Sequence, residues 1–262
     1  MYVSKFKLSL VCILGSVGAT YLFRRYTNKN RREAYYVFNY LNIKTVCTVN
    51  ECYEVIKELK RRCSSHNAVG FDCEWIYENR CRKPIALVQL SSYDGYCGLF
   101  RLDKLTFVPS VLKEFLEDEN IYKIGVSPVW DARFLREDYG VAVKSAYDIR
   151  HMAQKWYAPR GLAYLAKTAL DVILDKDKKI QCGNWEADKL SNRQKNYAAV
   201  DAHVAIRMFV DFINKLKHDL ENLADIWSNL HVVCQKHADV DFTHHHWEMY
   251  KVKLKSIRKN NR

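Results

Sequence analysis

Between residues 69 and 126 the apolar positions come in short, nearly continuous runs. Elsewhere they recur three and four residues apart. Short runs bounded by turn residues predict buried strands, and the wider spacing predicts helices with one apolar face. The predicted strands are Val69–Trp75, Pro84–Ser91, Tyr96–Leu102, Ile121–Val126 and Val143–Ile149, with Lys44–Thr48 as an edge strand. The turn Asp94-Gly95 sets off the third of these. Asn50 reads as the N-cap of a helix to about Cys63, with Cys52, Val55, Ile56 and Leu59 on one face. Pro109 opens a helix to Glu117, and Val129–Tyr139 is a helix closed by Gly140. Helical spacing returns near His151–Trp156, Leu162–Leu170 and Ser191–Leu223. Hairpin-linked strands followed by alternating strands and helices predict an α/β domain, a mixed five-stranded sheet flanked by helices. No internal repeat or low-complexity segment interrupts it.

Ahead of this domain stands a different pattern. Leu8–Phe23 is an uncharged, mostly apolar run of 16 residues, with Lys5 and Lys7 before it and Arg24 and Arg25 after it. As a helix it would span about 24 Å, somewhat short of a hydrocarbon core of ~30 Å. An N-terminal membrane anchor over residues 1–25 is the expectation, followed by a basic linker over 26–35. The competing readings are a signal peptide cut after Ala19 and a buried or amphipathic core helix. More basic residues follow the run than precede it, which would keep the rest of the chain on the cytosolic side.

Charge and cysteine content refine this picture. The 262 residues carry a formal net charge of +12, but residues 1–33 hold seven basic side chains against one acid, and residues 251–262 six against none. The body between the tails is formally neutral, so any basic groove in it must be local. The tails suit either lipid contact or self-association into a homodimer. Nine cysteines, an odd number with no Cys-x-x-Cys, look like reduced and buried thiols rather than a disulfide framework.

Candidate chemistry begins in Val69–Trp75. Residues two apart on a strand share a face, so Asp72 and Glu74 point one way and Phe71, Cys73 and Trp75 the other. Two carboxylates on one face of a buried strand repel and lose hydration, which a divalent cation would offset. A solvent-facing pair is the simpler alternative. Asp131 falls in the first turn of its helix, where the helix dipole favours an acid in any case. Tyr197 and Asp201 lie four apart on one helix face that also bears Val204 and Ala205, and a buried Asp there needs a partner. Near the end of the chain, Cys234-x-x-His237 with His244-His245-His246 offers zinc-ligand types. Their spacing matches no finger, and chance histidines in a polar helix are the simpler reading.

Taken together, Asp72-x-Glu74 on a strand, Asp131 at a helix start and Tyr197-x-x-x-Asp201 on a late helix resemble the DEDDy branch of the DnaQ-like 3′–5′ exonucleases. The sister DEDDh branch has His five residues before the last acid, where this chain has Asn196. Trp75, Gly161-Leu162-Ala163-Tyr164-Leu165-Ala166 and Asn184-Trp185-Glu186-Ala187 are similar to the Werner-type subgroup. Ser127-Pro128 departs from it, since the family often has Gly and small residues there.

The resemblance implies a ribonuclease-H-like fold, with the exonuclease domain over residues 36–218, and the residues beyond it, 219–262, read as a helical, basic tail. It implies metal-dependent exonuclease activity on single-stranded RNA or DNA from the 3′ end, with two Mg²⁺ or Mn²⁺ ions per site. Asp72, Glu74 and Asp201 would hold the water-activating ion. Asp72 would bridge to the second, held by Asp131, and Tyr197 would orient the attacking water. Trp75 could stack a terminal base, with a core aromatic as the alternative; Tyr77 is a further candidate. Arg80, Arg82 and Lys83 offer phosphate contacts or a solvated loop. The membrane implied is the outer mitochondrial one. The rival class is a catalytically silent nucleic-acid-binding scaffold on the same fold, which has no need of four converging carboxylates beside a polyanion.

Overall fold

The computed structural model describes residues 38–154, 156–158 and 160–219. The first strand, β1, covers Asn42–Val46 and ends because Thr48 is committed to the helix that follows. Thr48, not Asn50, caps that helix, α1 (Val49–Cys63). Its Oγ1 accepts from the Glu51 amide at 3.3 Å, and the Glu51 carboxylate accepts from the Thr48 amide at 3.0 Å. This reciprocal capping box satisfies two otherwise orphaned donors, which Asn50, already within the first turn, could not do.

The chain then runs through β2 (Ala68–Glu74), the short hairpin β3 (Tyr77–Glu78) and β4 (Cys81–Arg82), then β5 (Leu87–Ser91) and β6 (Tyr96–Arg101). After α2 (Leu102–Leu105) and α3 (Ser110–Glu117) come β7 (Tyr122–Gly125), α4 (Pro128–Tyr139) and β8 (Ala146–Asp148). Helices α5 (Arg150–Ala153), α6 (Leu162–Leu170), α7 (Lys178–Gln181) and α8 (Asn192–Asp219) complete the described chain.

The main sheet has six strands in the order β1-β6-β5-β2-β7-β8, not five. The edge strand β1 joins it by pairing parallel to β6, with Asn42 opposite Tyr96 and Val46 opposite Phe100. β5 is antiparallel to both its neighbours and the remaining pairings are parallel. β8 is shorter than its apolar run suggested because Ser145, at φ +53°, breaks the extended backbone just before Ala146. The β3–β4 hairpin, absent from the sequence reading, turns on Asn79 and Arg80, both at positive φ.

Each face of the sheet is covered. Val69, Phe71 and Cys73 of β2 pack with Ile56 and Leu59 of α1 and with Leu112 and Phe115 of α3. The opposite face lies under α8, whose Val204, Ala205, Phe209 and Phe212 are buried there. A large apolar side chain so buried contributes about 1.5–3 kcal/mol. The alternation along β2 therefore turns Gly70, Asp72 and Glu74 towards α8.

Among the described residues no helix is long and apolar enough to cross a membrane. The expected anchor over residues 1–25 and its linker, the basic tail beyond 219 and the Cys234, His237 and His244–His246 group lie outside the described residues.

Candidate active site

Gly70 and the small residues of α8 determine how near the helix comes to the sheet. A Cβ on Gly70 would stand 1.8 Å from the Ala202 carbonyl oxygen, so only glycine admits the helix backbone at this distance. Ala198, Ala199 and Ala202 are all buried along the same helix. The approach brings Asp201 over β2, where ligand oxygens of Asp72, Glu74 and Asp201 all lie within 4.8 Å of one another.

Asp131 comes from the first turn of α4, directly after β7, which pairs parallel to β2. The residue before that helix, Ser127, adopts φ +61°, a left-handed conformation that glycine would take more easily. Two neighbours hold it there. Asp148 accepts from the Ser127 amide at 3.1 Å, and Arg150, itself paired with Asp148, donates to Ser127 Oγ at 2.6 Å. The departure at Ser127 thus keeps the glycine-like backbone and leaves Asp131 buried against the acid cluster.

Burial and mutual repulsion push these carboxyls upward. Burial raises Asp72 to about 7, with Asp201 adding to the shift and Lys176 opposing it. Burial and then the charges of Asp72 and Asp201 raise Glu74 to about 10. Asp131 is held well above the carboxylate range by burial and by Asp72. Asp201 is also raised by burial, against the pull of Lys176 and a hydrogen bond from Tyr197. Tyr197 is driven further above its ordinary value by burial and by Asp201, so its hydroxyl keeps its proton and acts as a donor. Trp185, fully buried in the Asn184–Ala187 motif, packs its ring 6.1 Å from that of Tyr197.

Lys176 is the functional residue that sequence reasoning missed. Its Nζ lies 2.6 Å from Asp201 Oδ2 and 5.0 Å from the centre of the Tyr197 ring. Arg193, in the first turn of α8, grips Asp175 at 2.8 Å and Asp177 at 3.1 Å, the residues on either side of Lys176. The alternating Asp175-Lys176-Asp177 is the available sequence signal: two acids held by one arginine turn the lysine between them elsewhere. Four carboxyls beside one ammonium give up their protons only at a cost, because burial and mutual repulsion oppose their charges. A divalent cation would offset that cost, and hard oxygen donors this close fit Mg²⁺ or Mn²⁺.

The acids line an open groove of about 1710 Å³. Trp75, Trp130 and Phe134 form one wall, with Trp75 half-buried and edge-on to Phe134 at 5.2 Å. Tyr77 is exposed at the rim. Arg82 is engaged within the protein rather than solvated. It makes two 2.7 Å bonds to Asp138 and lies 4.1 Å over the Phe134 ring, tying the hairpin to α4. Lys83 pairs with Glu78 at 3.0 Å and reaches Glu186 at 3.7 Å.

Residues 47–220 match the family model described as 3′-5′ exonuclease. The chain belongs to the 3′–5′ exonuclease family. Among members of that family, "Exonuclease 3'-5' domain-containing protein 2" of Drosophila melanogaster is 41% identical over 192 residues, covering 72% of this chain and 33% of the relative. The protein of the same name in Homo sapiens is 33% identical over 180 residues, covering 65% of this chain and 29% of that one. The chain thus spans about a third of the length of these curated relatives. The crystal structure of the EXD2 exonuclease domain soaked in Mn is 29% identical, with a TM-score of 0.42, covering 71% of this chain and 98% of that one.

Proposed function

We propose that this chain is a metal-dependent 3′–5′ exonuclease acting on single-stranded nucleic acid, RNA or DNA. The observation that carries the proposal is the convergence of Asp72, Glu74 and Asp201 within 4.8 Å, beside the buried Asp131. Family membership supplies the reaction class. Two divalent cations, when bound, supply an activated water and relief of charge on the leaving oxygen.

The chain's own residues supply the rest. Asp72, Glu74 and Asp201 would hold one ion, and Asp72 with Asp131 the other. Tyr197, protonated and fixed by Trp185, orients the attacking water through its hydroxyl. Lys176 holds Asp201 in place and lies where a phosphate oxygen would find a positive partner. Trp75, on the groove wall, stacks the terminal base. The groove's openness suits an extended strand, and its aromatic wall reads π-faces that every base has.

The proposal extends to attachment. The apolar run Leu8–Phe23 with its basic flanks supports an N-terminal anchor holding the domain towards the cytosol, on the mitochondrial outer membrane. Carbonate extraction of the full chain from membranes tests it, and release into the supernatant would reject it.

The activity is tested with 5′-labelled single-stranded RNA and DNA in Mg²⁺, Mn²⁺ or EDTA, alongside Asp72→Ala/Glu74→Ala. The expected result is a metal-dependent ladder shortening from the 3′ end, absent in the double variant. Tight binding by both proteins without cleavage would replace the enzyme with the silent scaffold.

A further inference from the structure

Gln89 lies at the centre of β5 and is 1% exposed. The antiparallel register sets it directly opposite Asp72 of β2. Residues so paired share a face, with Cβ atoms about 4.5–5.5 Å apart. That face is the one under α8: Ser91, two residues along β5, meets His203 of α8 at 3.0 Å. Gln89's other cross-strand partner is Leu99 of β6, and Leu87 lies two residues before it; both leucines are fully buried.

In these surroundings neither Oε1 nor Nε2 of Gln89 has a protein hydrogen-bond partner among the described residues. Removing an amide from water without new bonds is unfavourable, and a methionine would fill much the same volume without that cost. A residue that opposes stability, placed across from a carboxylate of the acid cluster, fits a functional role better than a packing one. Asp72 has acceptor capacity to spare, since a carboxylate offers about four lone-pair sites.

We propose that Gln89 is a positioning residue for Asp72. Its Nε2–H donates to the Asp72 carboxylate through one buried water and fixes which oxygen faces the cations. The inference rests on reading the acid cluster as a metal centre. Partners that orient a ligating carboxylate typically change metal affinity by 10–100-fold when removed.

The test compares the full chain with Gln89→Met in three measurements: Mn²⁺ affinity by calorimetry, the Tm of the metal-free protein, and kcat and KM on single-stranded DNA. The expected result is Mn²⁺ binding weakened about tenfold or more, with kcat lowered, KM for the nucleic acid unchanged, and a metal-free Tm equal to or above wild type. Wild-type Mn²⁺ affinity and kcat in the variant would overturn the proposal. So would a metal-free Tm that falls together with the affinity, or a variant that does not fold, because either makes Gln89 a packing residue. A wild-type chain that neither binds Mn²⁺ nor cleaves would instead reject the metal-centre reading itself.

Discussion

The α-carbon of Gly70 faces the carbonyl of Ala202 so closely that one added methyl would meet that oxygen at 1.8 Å. Ala202 follows Asp201 on the helix and Gly70 precedes Asp72 by two on the strand, so this single contact sets the separation of two cluster acids. Gly70→Ala must push α8 away, because the obstructing atom is backbone and cannot rotate aside. We expect a loss of about 1–3 kcal/mol in stability and about 10²-fold in activity, read by urea melts and by degradation of a labelled oligonucleotide. A variant of wild-type activity would show that the helix spacing does not control the site.

Glu74 presents the opposite case, a residue whose removal should help the fold. Its carboxyl is raised to about 10 by burial and by its neighbours' charges. Glu74→Gln removes an ionisable group from the cluster while keeping its shape. The metal-free protein should gain about 0.5–2 kcal/mol, while Mn²⁺-dependent activity should fall at least about a hundredfold. Thermal melts in EDTA and a cleavage assay read the two effects, and a fall in metal-free stability would count against the repulsion described above.

The same repulsion fixes a pH dependence. Asp72 titrates near 4 in the unfolded chain and at about 7 in the folded one. Between those values the folded protein holds a proton that the unfolded chain has released, so stability falls as pH rises. Glu74 extends the fall towards about 10. The metal-free Tm should therefore drop between pH 5 and pH 8, and Mn²⁺ should raise Tm more at pH 8, where the ligands give up protons more readily. A flat or rising metal-free Tm over that range would contradict the assignment.

Lys176 offsets the charge of Asp201 at 2.6 Å. Lys176→Met leaves the acid cluster without that ammonium, and metal-free stability should fall by about 1–3 kcal/mol. Mn²⁺ should bind the variant more tightly, since no resident cation repels it. Calorimetry on the two proteins checks the sign, and weaker Mn²⁺ binding would make Lys176 a support for the metal rather than a competitor.

Much of the fold was legible because strand and helix periods differ. Leu162–Leu170 emerges with its predicted bounds, and the alternation in β2 puts Phe71 and Cys73 on one side and Asp72 and Glu74 on the other. The errors have local causes. Asn50 offers a plausible cap although Thr48 with Glu51 makes the better box, and the edge strand β1 escapes the count of five because a parallel pairing leaves no hairpin in the sequence to announce its place. Lys176 is hard to read for a different reason. It stands in a run of alternating charges with no apolar position to orient it, and its direction depends on Arg193, 17 positions later in the sequence. The role of Gln89 was hidden too, since a glutamine in an apolar strand shows its isolation only once its cross-strand neighbours are known.

Cys73 stands between the two strand acids but faces the other way, 4% exposed among the residues packed under α1 and α3. Burial, with the negative charges behind it, holds its thiol well above the ordinary value. It is therefore shielded from alkylating reagents both by access and by the scarcity of thiolate. Labelling at this position requires α1 and α3, or the strand itself, to move away from that face. The chain thus carries its own clock for opening of the layer behind the acids: the rate at which Cys73 becomes tagged, with and without divalent ion, reads whether filling one face of the central strand steadies the packing on the other.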